Sequence, residues 1–262
     1  MPLLHALPFI AYLLSGLLLT RYFVLDSVTN QHRTIVNLML LLACSSHGYI
    51  LFELWQHDGV FFGLTVSISF VAWVVATLLF LTSFTKPIHS LGILVYPLSA
   101  IAVIIAFLFP GTQGKLISIS IAAHAFLSIG AYALLALAVA QSLLLSLQER
   151  FLYEHNFNTF VDKLPAFQTM EAFLYQTLKM GFLLLTLSLI SGYLYIDDFF
   201  TQKLTYKTIL SIIAWIGFAG ILLGHKMFGW RGKLIAISTQ IAFAILVLSY
   251  FGTKFFLEML SI

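Results

Sequence analysis

Eight long apolar runs occupy most of this chain, and runs of that length fix the solvent before anything else is known. Crossing the hydrocarbon layer of a bilayer takes about 20 mostly apolar residues at about 1.5 Å of helix rise each. Leu3 to Thr20, Ile35 to Leu54, Phe61 to Thr82, Leu91 to Phe109, Leu116 to Ser146, Leu174 to Tyr195, Tyr206 to Gly224 and Leu234 to Leu257 all qualify. The links are short except for Leu147 to Phe173, which leaves no room for a separate soluble domain, and no repeat or low-complexity tract is evident. Hydrophobic residues make up 61% and charged ones 9% of the 262, a balance that cannot cover a water-exposed surface. The expected fold is an all-α integral membrane protein, a bundle of eight transmembrane helices forming a single transmembrane domain over residues 1–262.

The first run lacks a positively charged n-region, is long for a signal-peptide h-region, and has no small-residue cleavage site in Arg21 to Ser27, so it reads as an uncleaved first helix. Orientation follows from the Lys and Arg residues of the short loops. With the N-terminus outside, the inner side receives Arg21, Arg33, Lys86, Arg150, Lys163, Lys179, Lys226, Arg231 and Lys233, against Lys115, Lys203, Lys207 and Lys254 on the outer side. Both termini are therefore expected outside. The net charge of +3 is what an inward-facing positive fringe produces, so it calls for no nucleic-acid partner.

Cys44 is the only cysteine, which excludes an internal disulfide, a Cys-x-x-Cys redox pair and a Cys-x-x-Cys-His haem attachment site. The chain is neither a c-type cytochrome nor a thiol–disulfide carrier.

Ionisable side chains inside lipid are costly, and they mark functional positions. His5, His32, His57, His89 and His155 fall in loops or near span ends and read as solvated or interfacial residues. His47 lies well inside the second run and His124 inside the fifth. On the expected topology both sit at matching depth below the outer surface, ~10 Å for His47 and ~12 Å for His124. Ser120, His124, Ser128 and Tyr132 share one helix face by their spacing of four, while Ser45, Ser46 and Gly48 give His47 small neighbours. Two neutral imidazoles at equal depth on different helices suit the axial positions of a b-type haem. An interhelical hydrogen bond or a proton relay uses the same residue type, and spacing leaves those readings open. The transmembrane runs are almost free of Asp, Glu, Lys and Arg, which disfavours a small-molecule or proton transporter. Pro97 in the fourth run marks an expected kink.

Several stretches resemble a known family. Gly229-Trp-Arg-Gly-Lys-Leu-Ile-Ala236 and Leu248-Ser-Tyr-Phe-Gly252 resemble the Gly-Trp-Arg-Gly signature and following helix of the cytochrome c assembly family of haem-handling membrane proteins. Gly181-Phe-Leu-Leu-Leu-Thr186 with Ser191-Gly192 is similar to that family's sixth helix, and His124-Ala-Phe-Leu-Ser-Ile-Gly-Ala-Tyr132 to its His-containing helix. His225 falls where the family carries a histidine just before the basic turn, and the branch most resembled is the HemX/YpjD-like one. The resemblance is specific from about Ile117 to Phe256. It implies haem b as cofactor, His124 as an outer-face iron ligand with His47 as its partner, and His225 as a third cofactor-binding residue at the inner face. It also implies a bacterial inner-membrane location, the bilayer and haem as partners, and other cytochrome assembly proteins as further ones.

Two departures bound that implication. The tryptophan-rich outer loop of haem-delivering members is absent from Ile196 to Lys207, where Lys207 alone resembles its lysine, and their second outer histidine has no counterpart before Ile262. A covalent synthase role for the chain acting alone is not expected, and no catalytic residue is assigned. The competing expectation is a non-catalytic membrane regulator or scaffold for a cytoplasmic enzyme, one of haem synthesis for example, that carries no haem. Its supporting feature is the Leu147 to Phe173 link, in which Phe151, Leu152, Phe160 and Leu164 would form an amphipathic surface segment.

Overall fold

No water reaches the backbone inside a bilayer, so a spanning segment must satisfy its N–H and C=O groups internally, as a helix does. The computed structural model describes residues 2–24, 30–58, 64–109, 119–154, 163–195 and 202–252. Its elements are α1 (Pro2–Val24), α2 (Asn30–Asp58), α3 (Leu64–Thr82), α4 (Gly92–Leu108), α5 (Ile119–Tyr153), α6 (Phe167–Tyr195), α7 (Gln202–Phe228) and α8 (Lys233–Val247). A 3₁₀ turn over His89–Leu91 leads into α4, and a π-helical turn over Leu248–Gly252 extends α8. Among the described residues all eight helices are long and apolar enough to cross a membrane, which agrees with the all-α expectation.

The chain divides into two compact units, one holding residues 1–117 and 150–166, the other residues 118–149 and 167–262. In the first unit α1 packs against α2 and α4, and α3 packs against α4 and α2. Small residues set how closely these helices meet, because apolar side chains gain nothing from leaving lipid and association rests on packing. A Cβ on Gly16 of α1 would stand 2.7 Å from Cγ of Pro97 on α4, so the proline ring fills the place a side chain would take. Tyr12, Ala43, Ala76, Leu79 and Ala100 are fully buried in this unit.

In the second unit α7 packs against α6 and α8. Gly181 on α6 is pressed against Leu135 of α5, where a Cβ would meet Cγ at 2.8 Å. Hydrogen bonds join α5 to its neighbours: Gln141 Nε2 donates to the Met170 carbonyl at 3.1 Å, and Tyr132 Oη to the Leu246 carbonyl at 2.8 Å. Between α7 and α8 the chain turns through Gly229 and Gly232, both at positive φ, 66° and 56°. L side chains seldom adopt that backbone, and glycine adopts it freely.

The link expected from Leu147 to Phe173 is shorter than the sequence indicates. α5 continues to Tyr153 and α6 begins at Phe167, so Phe151 and Leu152 are helical and Leu164 is buried; Phe160 lies outside the described residues. The polar residues Gln148, Glu149 and Glu171 look like a loop in the sequence, yet all three lie within the helices, where the Glu171 carboxylate accepts from the Gly232 N–H. Lys163 closes this link back on α1, donating to the Tyr22 carbonyl at 3.0 Å.

Candidate functional site

His47 stands in the middle of α2 and is 1% exposed. Its Nε2 lies 2.8 Å from Ser69 Oγ on α3, and its Nδ1 is buried without a hydrogen-bond partner. Tyr12 of α1 meets the ring edge-on, with centroids 5.8 Å apart, and stacks at 6.2 Å on Tyr96 of α4. The Tyr12 hydroxyl donates to Cys44 Sγ at 3.6 Å, and Trp73 Nε1 donates to the Cys44 carbonyl at 2.8 Å. Gly48 makes room for that indole, since a Cβ there would lie 2.9 Å from Trp73 Cζ2. His47 is thus buried edge-on against Tyr12, with one ring nitrogen engaged and the other idle.

His124 stands in the second turn of α5, half-buried, and its Nδ1 is 3.0 Å from both the Ser188 carbonyl and Ser191 Oγ on α6. A carbonyl oxygen only accepts, so Nδ1 carries the proton and Nε2 keeps the lone pair of a neutral ring. Ser128 Oγ lies 3.4 Å from Nε2, but it also lies 2.7 Å from Ser188 Oγ and donates to the His124 carbonyl at 2.8 Å. Ser191 Oγ in turn bonds the Ser188 carbonyl at 2.9 Å. An imidazole whose N–H is committed to a backbone carbonyl is oriented as iron- and zinc-binding histidines are oriented.

His225 repeats this arrangement in the last turn of α7. Its Nδ1 lies 2.7 Å from the Trp230 carbonyl, which again assigns the proton to Nδ1 and the lone pair to Nε2. The ring packs at 4.0 Å on Tyr175 of α6. The turn closes over it: Trp230 presses on Gly224, and the Gly232 N–H donates to Glu171 Oε1 at 2.8 Å.

Of the residues singled out by sequence, His124, Ser128 and Tyr132 do lie on one working face of α5, each with a partner on another helix. His124 and His225 belong to one unit and His47 to the other, and the three share no hydrogen-bond partner. Of the remaining histidines, His89 accepts from Arg33 Nη2 at 2.6 Å and His5 packs on Phe107 at 4.8 Å. The side chains of His32 and His57, and all of His155, lie outside the described residues, as does the Ile196 to Thr201 stretch. Lys207 is described; its Nζ lies 4.7 Å over the Tyr250 ring. Ser69, Ser188, Tyr12 and Trp73 were not evident in the sequence, because a lone serine or aromatic in an apolar run gives no sign of the helix it will face.

Among the described residues no group of three or more His, Cys, Asp and Glu side chains gathers to hold a bare metal ion. A haem asks for less, one or two imidazoles with free lone pairs. His124 and His225 offer such a nitrogen, and His47 has a buried nitrogen with nothing attached, so the residues present fit the group.

Residues 34–261 match the family model described as cytochrome C assembly protein. Inner membrane protein YpjD of Escherichia coli K12 is 30% identical over 138 residues, 53% of this chain and 52% of that protein. A 28.8 kDa protein from the nifR3-like 5′ region of Azospirillum brasilense is 31% identical over 153 residues, 58% of this chain and 56% of that one. The cytochrome c biogenesis protein CcsA of Prochlorococcus marinus is 34% identical over 83 residues, 31% of this chain and 26% of that one. The chain thus spans about half the length of the first two relatives and less of CcsA. No solved structure matches.

Proposed function

The chain belongs to the cytochrome c assembly protein family, and on that footing we propose that it is a haem-binding membrane protein that holds haem b near the outer face of the bacterial inner membrane, for cytochrome assembly or haem handling. His124 and His47 are its iron ligands, and His225 serves haem at the inner face. Both termini face outward in this reading, so that the basic turn at Arg231 and Lys233 lies on the cytoplasmic side. One observation carries the proposal: the His124 N–H is committed to the Ser188 carbonyl, which leaves Nε2 as a lone-pair donor of fixed direction. The unpartnered Nδ1 of His47 supports it, because a buried polar atom without a partner is costly unless something binds there. Bound haem would supply the iron that these imidazoles would hold. The chain's own share is to orient the imidazoles through Ser188, Ser191 and Ser69 and to bury His47 against Tyr12.

The test is a reduced-minus-oxidised spectrum of the protein purified in mild detergent after expression with ample haem. Sharp b-type bands are expected, and His124→Ala or His47→Ala should remove or distort them. Absence of bands in the unmodified protein would defeat the proposal, and loss only on His225→Ala would move the ligands to the other end of the helices.

A further inference from the structure

Around His225 stand two side chains to which the haem reading gives no task. Glu171, Tyr175 and Lys179 follow one another at intervals of four along α6, so they share one helix face. Lys179 Nζ lies 4.7 Å over the Tyr175 ring, and the same ring lies 4.0 Å from His225 on α7. Glu171 holds the Gly232 N–H at 2.8 Å, which ties α6 to the turn beyond α7 without using Tyr175 or Lys179. The cluster therefore combines an imidazole with its Nε2 lone pair available, an aromatic face, and an exposed ammonium on a rigidly held helix.

Each of these chemistries has a counterpart on one kind of ligand. The lone pair suits a metal centre, the tyrosine face suits the edge of a flat conjugated ring, and the ammonium suits a carboxylate projecting from that edge. Lys179 is followed at once by the apolar run Met180-Gly-Phe-Leu-Leu-Leu185, and a cation that close to hydrocarbon gains from an anion brought to it. Resting on the haem reading above, we propose that Lys179 receives a propionate carboxylate of the tetrapyrrole held at His225, with Tyr175 as the surface under its edge. Lys179 then sets specificity for the free acid over neutral porphyrin derivatives, and Tyr175 positions the ring.

The experiment titrates the full chain in detergent with haemin and with haemin dimethyl ester, which differ only in their carboxylates, and repeats both in a His124→Ala background. Lys179→Met should weaken haemin binding at low salt by about threefold to tenfold and leave ester binding unchanged, while Lys179→Arg restores haemin binding. An equal loss for both ligands, or no loss for haemin, overturns the proposal even if His225→Ala weakens both. If His225→Ala changes neither affinity, the assignment of His225 to haem fails, and the Lys179 proposal falls with it. Thermal unfolding of Lys179→Met should match the unmodified chain, since its apolar stem is kept.

Discussion

Ser69 on α3 stands 2.8 Å from Nε2 of His47 on α2, and this hydrogen bond ties a fully buried imidazole to a neighbouring helix. Ser69→Ala should therefore leave the ring without a hydrogen bond, since Nδ1 has none. Interhelical hydrogen bonds in membranes are worth on the order of 1 kcal/mol, and a loss of that size is expected in thermal unfolding followed in detergent. Ser69→Thr keeps the hydroxyl and should recover most of it. An unchanged midpoint in Ser69→Ala would mean that the ring finds another partner.

Ser191 shares the His124 N–H with a carbonyl that no side-chain substitution removes. Ser191→Ala should therefore keep the proton on Nδ1 and the ring in place, and haemin affinity should fall by no more than about tenfold, the lower end of what outer partners of metal ligands contribute. The b-type bands should persist in Ser191→Ala and vanish in His124→Ala. Equal losses in the two variants would show that the hydroxyl, not the carbonyl, orients the ring.

The legibility of this chain in its sequence follows from which forces act locally. Spans such as Ile35 to Leu54 were readable because lipid imposes a length and a composition on each segment by itself. The ends of α5 and α6 were not, because Glu149 and Glu171 look like loop residues until Gly232 is brought beside them. The same division runs through the candidate site. His124 and Ser128 were paired correctly because helix spacing places them one turn apart, whereas Ser188 and Ser69 come from other helices, and nothing in their own neighbourhoods marks the histidine each will meet. The orientation of the histidine N–H groups was likewise out of reach, since it depends on two backbone carbonyls, at Ser188 and Trp230.

Glu171 separates the need for an acceptor from the need for a charge. Glu171→Gln retains an oxygen for the Gly232 N–H and should cost little, whereas Glu171→Ala strands a buried donor at the start of α8. An unsatisfied buried donor costs about 1–3 kcal/mol, so the midpoint of thermal unfolding should drop in the alanine variant and stay near its original value in the glutamine one. A comparable drop in both would assign the contribution to the carboxylate charge acting on the N-terminus of α8.

The two glycines of the basic turn should respond unequally to the same substitution. Gly229 has φ of 66° with nothing within 4 Å of where a Cβ would stand, so Gly229→Ala faces only the left-handed backbone, which costs an L residue about 1–2 kcal/mol. Gly232 has φ of 56° with ψ of −132°, a combination outside the left-handed helical well. A Cβ there would also stand 3.2 Å from Glu149 Oε2, a buried oxygen without a hydrogen-bond partner, and 3.5 Å from Phe167 Cζ. Gly232→Ala must displace these groups or distort the N–H that Glu171 holds, and losing that hydrogen bond adds to a backbone strain of about 1–3 kcal/mol. Thermal unfolding of the two variants side by side should show the larger loss at Gly232. If the Gly229 variant proved the less stable, the turn would be limited by its backbone alone, and the Glu171 clamp would not be what holds α8 to α6.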